Sequence, residues 1–536
     1  MNTMGRGLRV AIALLILIYD SLGSAAVGRE MPEAATTSRV SVASDGTQAN
    51  NASDNASITA DGGFIAFHSY ADNLVGGDSN GFDDVFVHDM VSGVTMLVSV
   101  ASDGTQGNGQ SGLYGFSISG DGRYVAFESA ASNLVNGDTN VRSDIFVHDL
   151  LTGDTTRFSV ASGGAQGDGS SNSPSISADG RYVAFYSYAT NLVSGDTNTK
   201  SDIFLHNIET GETTRVSTAS DGTQGDGDSL LPAISADGSF VAFLSSATNL
   251  VSGDANGKLD VFVHERESGE TIRISVASDG TEANGNSGYS TISADGRFVA
   301  FESAAWNLID GDTNGVGDIF VHDRLSGDTS LASQSSDGEQ GDFGANFPSI
   351  SADGRYVAFY SWATNLVPDD TNSSSDIFIH DREKGETMLV SLTDNGMQGN
   401  NYSGSPSISA DGRYAAFQSD ADNLVSGDDN GFRDIFVRDQ GEGWFVYTIS
   451  GTVTSVGGAP LSGVTINSDS GASALSGSDG SYLIVDVLSG TYTLTPSLDG
   501  FSFMPISITV SVPPDALGVD FIAEEVILVN LPLVVK

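Results

Sequence analysis

Ser177-Ala178-Asp179-Gly180-Arg181-Tyr182-Val183-Ala184-Phe185 is one of seven near-copies of the pattern Ser-x-Asp-Gly-Arg-(Tyr/Phe)-Val-Ala-Phe, whose aspartates are Asp61, Asp121, Asp179, Asp237, Asp295, Asp353 and Asp411. The first step is 60 residues and every later one is 58. A fixed period of this size, with several short alternating segments in each unit, marks a propeller or solenoid array rather than an enzyme built around one core.

Working outward from the third copy, four apolar-alternating stretches follow one another: Ser175-Ile176-Ser177, Arg181-Tyr182-Val183-Ala184-Phe185, Asp202-Ile203-Phe204-Leu205-His206 and Thr213-Thr214-Arg215-Val216-Ser217. Asp-Gly, Thr-Gly and Asn-rich turns separate them, the pattern of a four-stranded antiparallel meander with strands here called a to d. No helical period of useful length appears in 38–440. The seventh unit runs through Asp434-Ile435-Phe436-Val437-Arg438-Asp439 and lacks its strand d, whereas Ser38-Arg39-Val40-Ser41-Val42-Ala43 is a surplus strand before the first unit. The expectation is an all-β chain, a seven-bladed β-propeller over 38–440 closed by its own N-terminal strand, because closure protects sheet edges.

The repeat resembles that of TolB-like propellers, relatives of the WD-repeat (WD40-like) propellers, whose a-to-b turn is similar to Ser-Pro-Asp-Gly followed by an apolar strand. That resemblance implies a fold and says little about activity. Residues 27–37 are too few to supply the separate domain that precedes the TolB propeller, so the TolB envelope role is not carried over.

With 69 acidic and 22 basic residues the formal charge is −47. Nucleic acid and anionic membranes are therefore excluded as expected partners, since phosphate binding needs clustered Lys and Arg. Arg6 and Arg9, the apolar run from Val10 to Tyr19, and the small residues Ser24-Ala25-Ala26 read as a secretory signal peptide over 1–26. That run is too short for a bilayer core that needs about 20 residues. The expected location is outside the cell or at its surface, as a monomer. The chain has no cysteine, which removes disulfides, thiolate metal sites and thiol nucleophiles.

Every b-to-c loop carries Asp-x-Asn-x-x-x-Asp: Asp78/Asn80/Asp84, Asp138/Asn140/Asp144, Asp196/Asn198/Asp202, Asp254/Asn256/Asp260, Asp312/Asn314/Asp318, Asp370/Asn372/Asp376 and Asp428/Asn430/Asp434. Side-chain oxygens at positions one, three and seven of a tight loop can converge on a hard cation, as in the opening of an EF-hand loop, and calcium (Ca2+) is the candidate cofactor. Asn73, Asn133, Asn191, Asn249, Asn307, Asn365 and Asn423 offer a further amide upstream. Against this, position five is Arg142, Lys200 or Lys258 in three copies, and Asp and Asn equally form turns by bonding their own backbone. Metal and turn are weighed evenly.

Six of seven histidines, His88, His148, His206, His264, His322 and His380, share one strand-c position that becomes Arg438 in the last unit. Repetition around the array argues for structure, since an active site needs one asymmetric constellation. Gly77-Asp78-Ser79-Asn80-Gly81 matches a serine-hydrolase pattern but sits in a b-to-c loop, not a strand-to-helix elbow. The Ser-x-Asp-Gly turn is similar to the Asp-box of sialidase propellers, itself a structural turn, and does not imply a glycosidase. No catalytic residue is therefore assigned. Function is sought where copies differ: His68, Glu128, Tyr186, Leu244, Glu302, Tyr360 and Gln418 follow Ala-Phe, with Tyr70, Ala130, Tyr188, Ser246, Ala304, Trp362 and Asp420 two residues on. His68/Tyr70, Tyr186/Tyr188 and Tyr360/Trp362 are aromatic pairs on one side of an extended segment. Padding between sheets is the simpler reading of any one pair.

From Tyr447 the period gives way to Ile449-Ser450-Gly451-Thr452-Val453, Asp479-Gly480-Ser481-Tyr482 and Gly490-Thr491-Tyr492-Thr493-Leu494, short strands with Gly-rich turns. This 447–524 segment reads as a small β-sandwich and resembles the carboxypeptidase regulatory-like domain, a transthyretin-like fold, which implies a noncatalytic spacer or attachment module. A linker at 441–446 precedes it and an apolar tail, 525–536, follows. The leading expectation is a secreted, noncatalytic binding or scaffold protein with an unidentified protein or glycan ligand. An extracellular propeller glycoside hydrolase or lyase, and a structural surface or adhesion component, are the alternatives.

Overall fold

The computed structural model describes residues 34–368, 370–441, 447–487, 490–512 and 516–525. The expected signal peptide, the hinge Glu442-Gly443-Trp444 and the tail beyond 525 lie outside the described residues. Among the described residues the regular structure is all strand, and no helix is long and apolar enough to cross a membrane.

Seven four-stranded antiparallel sheets, one per repeat, make a β-propeller architecture. In the third repeat the strands are Ser171–Ile176, Tyr182–Ser187, Asp202–Asn207 and Thr213–Arg215, so strand a starts before, and strand d stops short of, the segments read from sequence. The last sheet joins Ser403–Ile408, Tyr414–Ser419 and Asp434–Asp439 to the N-terminal strand Thr36–Arg39, which pairs Ser38 with Val437. That strand begins two residues earlier than Ser38 and ends at Arg39, though the Val40 N–H still donates to the Ile435 carbonyl.

The Ser-x-Asp-Gly turn forms by its own hydrogen bonds. Ser177 Oγ donates to Asp179 Oδ1 at 2.5 Å, and that oxygen also accepts from the Arg181 N–H at 3.0 Å. Gly180 then turns with φ +68°, and a Cβ there would lie 2.5 Å from the Tyr124 ring of the preceding sheet. The same close approach recurs in every repeat, ending with Gly62 against Tyr414. Glycine is required for both the positive φ and the contact.

Sheet meets sheet through repeated backbone bonds, one set of which runs around the array. Ala60 N donates to Gly120 O, Gly120 N to Ala178 O, Asp179 N to Ala236 O, Ala236 N to Ala294 O, Ala294 N to Ala352 O, Ala352 N to Ala410 O, and Ala410 N to Ala60 O. Within each sheet a phenylalanine of strand b faces one of strand c, from Phe67–Phe86 at 5.8 Å to Phe417–Phe436 at 6.1 Å, all fully buried. Each such ring contributes about 1.5–3 kcal/mol of burial.

The C-terminal module has two four-stranded sheets. Tyr447–Ser455 lies between Ser481–Val487 and Phe521–Glu525, parallel to the latter. Ile449, Val453, Ile466, Tyr482, Leu494 and Phe521 fill its interior, and Tyr482 Oη donates to Val519 O at 2.6 Å. Its first residue caps the sixth repeat: the Arg355 guanidinium lies 5.1 Å from the Tyr447 ring centre. The Arg355–Asp381 side chains are only 4% and 0% exposed, against 39% and 13% for Arg123–Asp149 in the second repeat. The module therefore covers part of the a-to-b turn face, and strand alternation puts the b-to-c and d-to-a loops on the opposite face.

Candidate functional site

Every acidic loop is built as a hydrogen-bonded unit, and its asparagine is a turn former. The Oδ1 atoms of Asn80, Asn140, Asn198, Asn256, Asn314, Asn372 and Asn430 each accept from the backbone N–H two residues on, the bond of an Asx-turn. Their Nδ2 atoms donate to the seventh-position carboxylates at 2.6–3.4 Å: Asn80 to Asp84, Asn140 to Asp144, Asn198 to Asp202, Asn256 to Asp260, Asn314 to Asp318, Asn372 to Asp376 and Asn430 to Asp434. The asparagines turn an N–H donor toward the carboxylates and spend their Oδ1 on the turn, so the oxygens that face one another across each loop belong to the aspartates.

The seventh-position carboxylate, Asp202 in the third repeat, also accepts from Ser217 Oγ at 2.5 Å, and its counterparts do likewise at 2.5–2.7 Å. A downstream glutamine holds the first-position aspartate: Gln106 donates to Asp78, Gln166 to Asp138, Gln224 to Asp196 and Gln398 to Asp370. Gln224 Nε2 bridges Asp196 and Asp202 at 2.9 Å each. The upstream asparagines tie the d-to-a loop: Asn249 Oδ1 accepts from Asp226 N and its Nδ2 donates to Gln224 O.

Strand d divides the seven copies into two kinds. Arg39, Arg157, Arg215 and Arg273 reach the loop carboxylates, Arg39 at 2.9 Å from Asp428 and Arg215 at 3.9 Å and 3.8 Å from Asp196 and Asp202. In the first, fifth and sixth repeats the matching residue in the strand register is Leu97, Leu331 or Leu389, so no strand-d cation faces those pairs. Burial pushes Asp84, Asp318 and Asp376 up to about 6 there. Asp312 Oδ1 is buried without a hydrogen-bond partner. In the fourth repeat Glu282 replaces the glutamine, and Asp254, Asp260 and Glu282 place oxygens within 4.8 Å of one another, a group that could hold a metal ion. Arg273 already lies against Glu282 in that group.

The six histidines are joints between sheets. Each Nδ1 lies 2.8–2.9 Å from a strand-d threonine Oγ1, as His206 does from Thr213. The threonine hydroxyl proton goes to a carbonyl of the preceding d-to-a loop, Val160 O for Thr213, so Nδ1 carries the ring proton and donates it. In the last sheet Arg438 takes this place, donating to Thr37 Oγ1 and Thr393 O at 3.0 Å each.

The non-repeated positions form a second layer at the loop-face ends of strands a and b. His68 is buried and Tyr70 exposed, their rings 5.8 Å apart; Tyr186 and Tyr188 make the same edge contact at 6.1 Å. Trp362 is exposed, and Tyr360 instead packs toward Phe347 at 5.8 Å, which stacks on Tyr289 at 4.1 Å. In five repeats the variable strand-b residue pairs with strand a: Asp54 with His68, Asn172 with Tyr186, Leu230 with Leu244, Asn346 with Tyr360 and Gly404 with Gln418. The two exceptions are the two glutamates. Strand a skips from Ser111 to Phe116 opposite Glu128, and from Ser287 to Ser290 opposite Glu302. Burial raises the pKa of both carboxyls. Sequence reasoning set these glutamates among the variable residues but missed the lost pairing; the 60-residue first step is its trace for Glu128, and Glu302 has none, since Gly404 at the position of Gly288 stays paired.

These features define a β-propeller followed by a C-terminal module, and residues 448–522 of that module match the carboxypeptidase regulatory-like domain. No curated protein matches the chain. Among solved structures, it is similar to oligogalacturonate lyase from Vibrio parahaemolyticus, at 13% identity and TM-score 0.46, covering 76% of this chain and 97% of that one. The β-propeller domain of the trilobed protease from Pyrococcus furiosus is similar at 11% identity and TM-score 0.45, covering 72% and 95%. TolB from Acinetobacter baumannii is similar at 15% identity and TM-score 0.34, covering 67% and 76%. Likenesses of this size carry no argument about activity, substrate or metal.

Proposed function

We propose that the protein is an exported, noncatalytic binding or scaffold protein, a closed seven-bladed propeller whose b-to-c and d-to-a loop face meets its ligand while the C-terminal module serves as the attachment. The observation that carries this reading is the division of labour among side chains. The repeated aspartates, asparagines and histidines are engaged in loops and joints, whereas the residues that differ between copies gather at the loop-face end of the inner strands. Closure is supported by the bond from Ala410 to Ala60 and by the pairing of Thr36–Arg39 with the last sheet.

Calcium enters this reading at the loops of repeats one, five and six, where leucine replaces the strand-d arginine and the paired carboxylates keep their charge unopposed by it. In the other four the guanidinium already supplies positive charge. The decisive experiment incubates purified protein with a panel of extracellular glycans and scores binding and turnover together. Binding without new products supports the proposal. The second reading, a glycan hydrolase or lyase, is favoured by the two non-repeated glutamates, Glu128 buried and Glu302 half-buried, and turnover abolished by E128Q or E302Q would replace the first reading with it.

A further inference from the structure

Repeats two and five share a glutamate at the variable strand-b position and an alanine two residues on, and the a-to-b register shift that every repeat carries falls opposite the glutamate in these two. They resolve the shift differently. In repeat two the two extra residues lengthen strand a to Ser111–Ile118, and the Tyr114 N–H donates to Glu128 Oε2 at 3.2 Å while Ser143 also bonds that carboxyl. Repeat five has no such insertion. Its Glu302 accepts from the Phe347 N–H, but Oε2 is buried with no partner. Beside it opens a cavity of about 380 Å³ walled by Leu231, Leu244, Leu259, Tyr289, Ala304 and Ala345. Gly288 leaves room for the carboxyl, since a Cβ there would lie 2.6 Å from Oε1.

Resting on the binding reading above, we propose that this cavity binds a small organic ammonium ion, a compact apolar or aromatic body whose N–H donors meet Glu302. The volume lies within the range of small-molecule pockets, which are largely apolar with a few placed polar groups. Repeat two indicates what the second carboxyl oxygen takes from within the chain: the Ser143 side chain bonds Glu128, and Gly317 stands at that place in repeat five, so the partner missing at Glu302 is a hydrogen-bond donor. A cation fits better than a neutral amide, because a buried carboxylate is stabilised most by a hydrogen-bonded counter-charge. Aromatic rings next to the cavity, Tyr289 stacked on Phe347, favour a cation further. A formal charge of −47 raises the local concentration of cations at the surface.

The test titrates the full chain calorimetrically with phenethylammonium, with 2-phenylethanol as its neutral counterpart and phenylacetate as its anionic one. Phenethylammonium is expected to bind, the alcohol about tenfold or more weakly by comparison, and phenylacetate not at all. E302Q should weaken the amine about tenfold or more without lowering Tm, and grafting Leu113-Tyr114 after Gly288 should close the cavity and abolish binding. Equal binding of amine and alcohol, unchanged affinity in E302Q, or a flat titration of the parent protein would each overturn the pocket while leaving the binding reading of the face standing. Conversion of the bound amine, seen as new proton resonances, would instead overturn the noncatalytic reading and keep the pocket.

Discussion

Arg215 lies with its guanidinium between two carboxylates that are 2% and 0% exposed, and it is itself 11% exposed. Removing it leaves Asp196 and Asp202 in the condition of the leucine-containing copies. R215L is expected to lose about 1–3 kcal/mol at pH 7.5, the cost of an unsatisfied buried charged group, measured by urea unfolding. The deficit should shrink as pH falls. Burial raises the Asp202 carboxyl even beside Arg215, whose charge holds that rise in check, so it rises further without the arginine. A carboxyl raised in this way binds its proton more tightly folded than unfolded, so R215L gains stability relative to the parent between about pH 7 and pH 4. A deficit that is constant with pH would contradict the pairing. L389R, which installs the same guanidinium beside Asp370 and Asp376, should raise Tm at pH 7.5.

At the level of elements, the joint from histidine to threonine to the next sheet rests on groups whose pKa is shifted the other way. Burial lowers His206 and His380 to about 4. The unfolded chain therefore takes up protons at these positions that the folded chain refuses, and the stability they contribute is present above about pH 6.5 and lost as pH falls through about 4. H380Q should be less stable than the parent by about 1 kcal/mol at pH 7.5, a typical net hydrogen bond, and the gap should narrow toward pH 4. Ligand binding at the loop face should not change. The a-to-b turn is stricter: G180A forces a side chain into φ +68° and against the Tyr124 ring, and should cost about 2 kcal/mol or more. A thermal melt indistinguishable from the parent would refute that packing.

For the whole molecule, the N-terminal strand and the acidic loops are the parts to test. No cysteine is present, so S38C/V437C, placed at directly paired positions, offers one clean cross-link. It should form on oxidation and stabilise the protein by about 2–4 kcal/mol; failure to form would argue against closure by that strand. Calcium at millimolar concentration should raise Tm over the chelated protein, since a ligand held by the folded state alone stabilises it. The triple variant L97R/L331R/L389R should abolish that rise.

The repeat, its four strands and the surplus N-terminal strand were legible because alternation, Asp-Gly turns and period are local properties written along the chain. So was the structural role of the histidines, since repetition itself marked them. Asp-x-Asn-x-x-x-Asp was legible as a loop, but the spacing could not say whether Asn140 or Asn372 turns its oxygen or its amide group toward the carboxylates. Nor was it legible as two kinds of loop: Arg215 and Leu331 lie downstream of the acidic triplets, and only the register of strand d brings them opposite those carboxylates. Likewise Glu128 and Glu302 read as two members of a variable column. Strand a leaves its pairing opposite both, through a two-residue insertion in one repeat and without any insertion in the other, and one carboxyl is met by its own chain while the other faces a cavity. Sequence alone determined the sheets and their number of copies; tertiary packing decided which charges meet and where space remains, because both depend on distances between segments that no local pattern encodes.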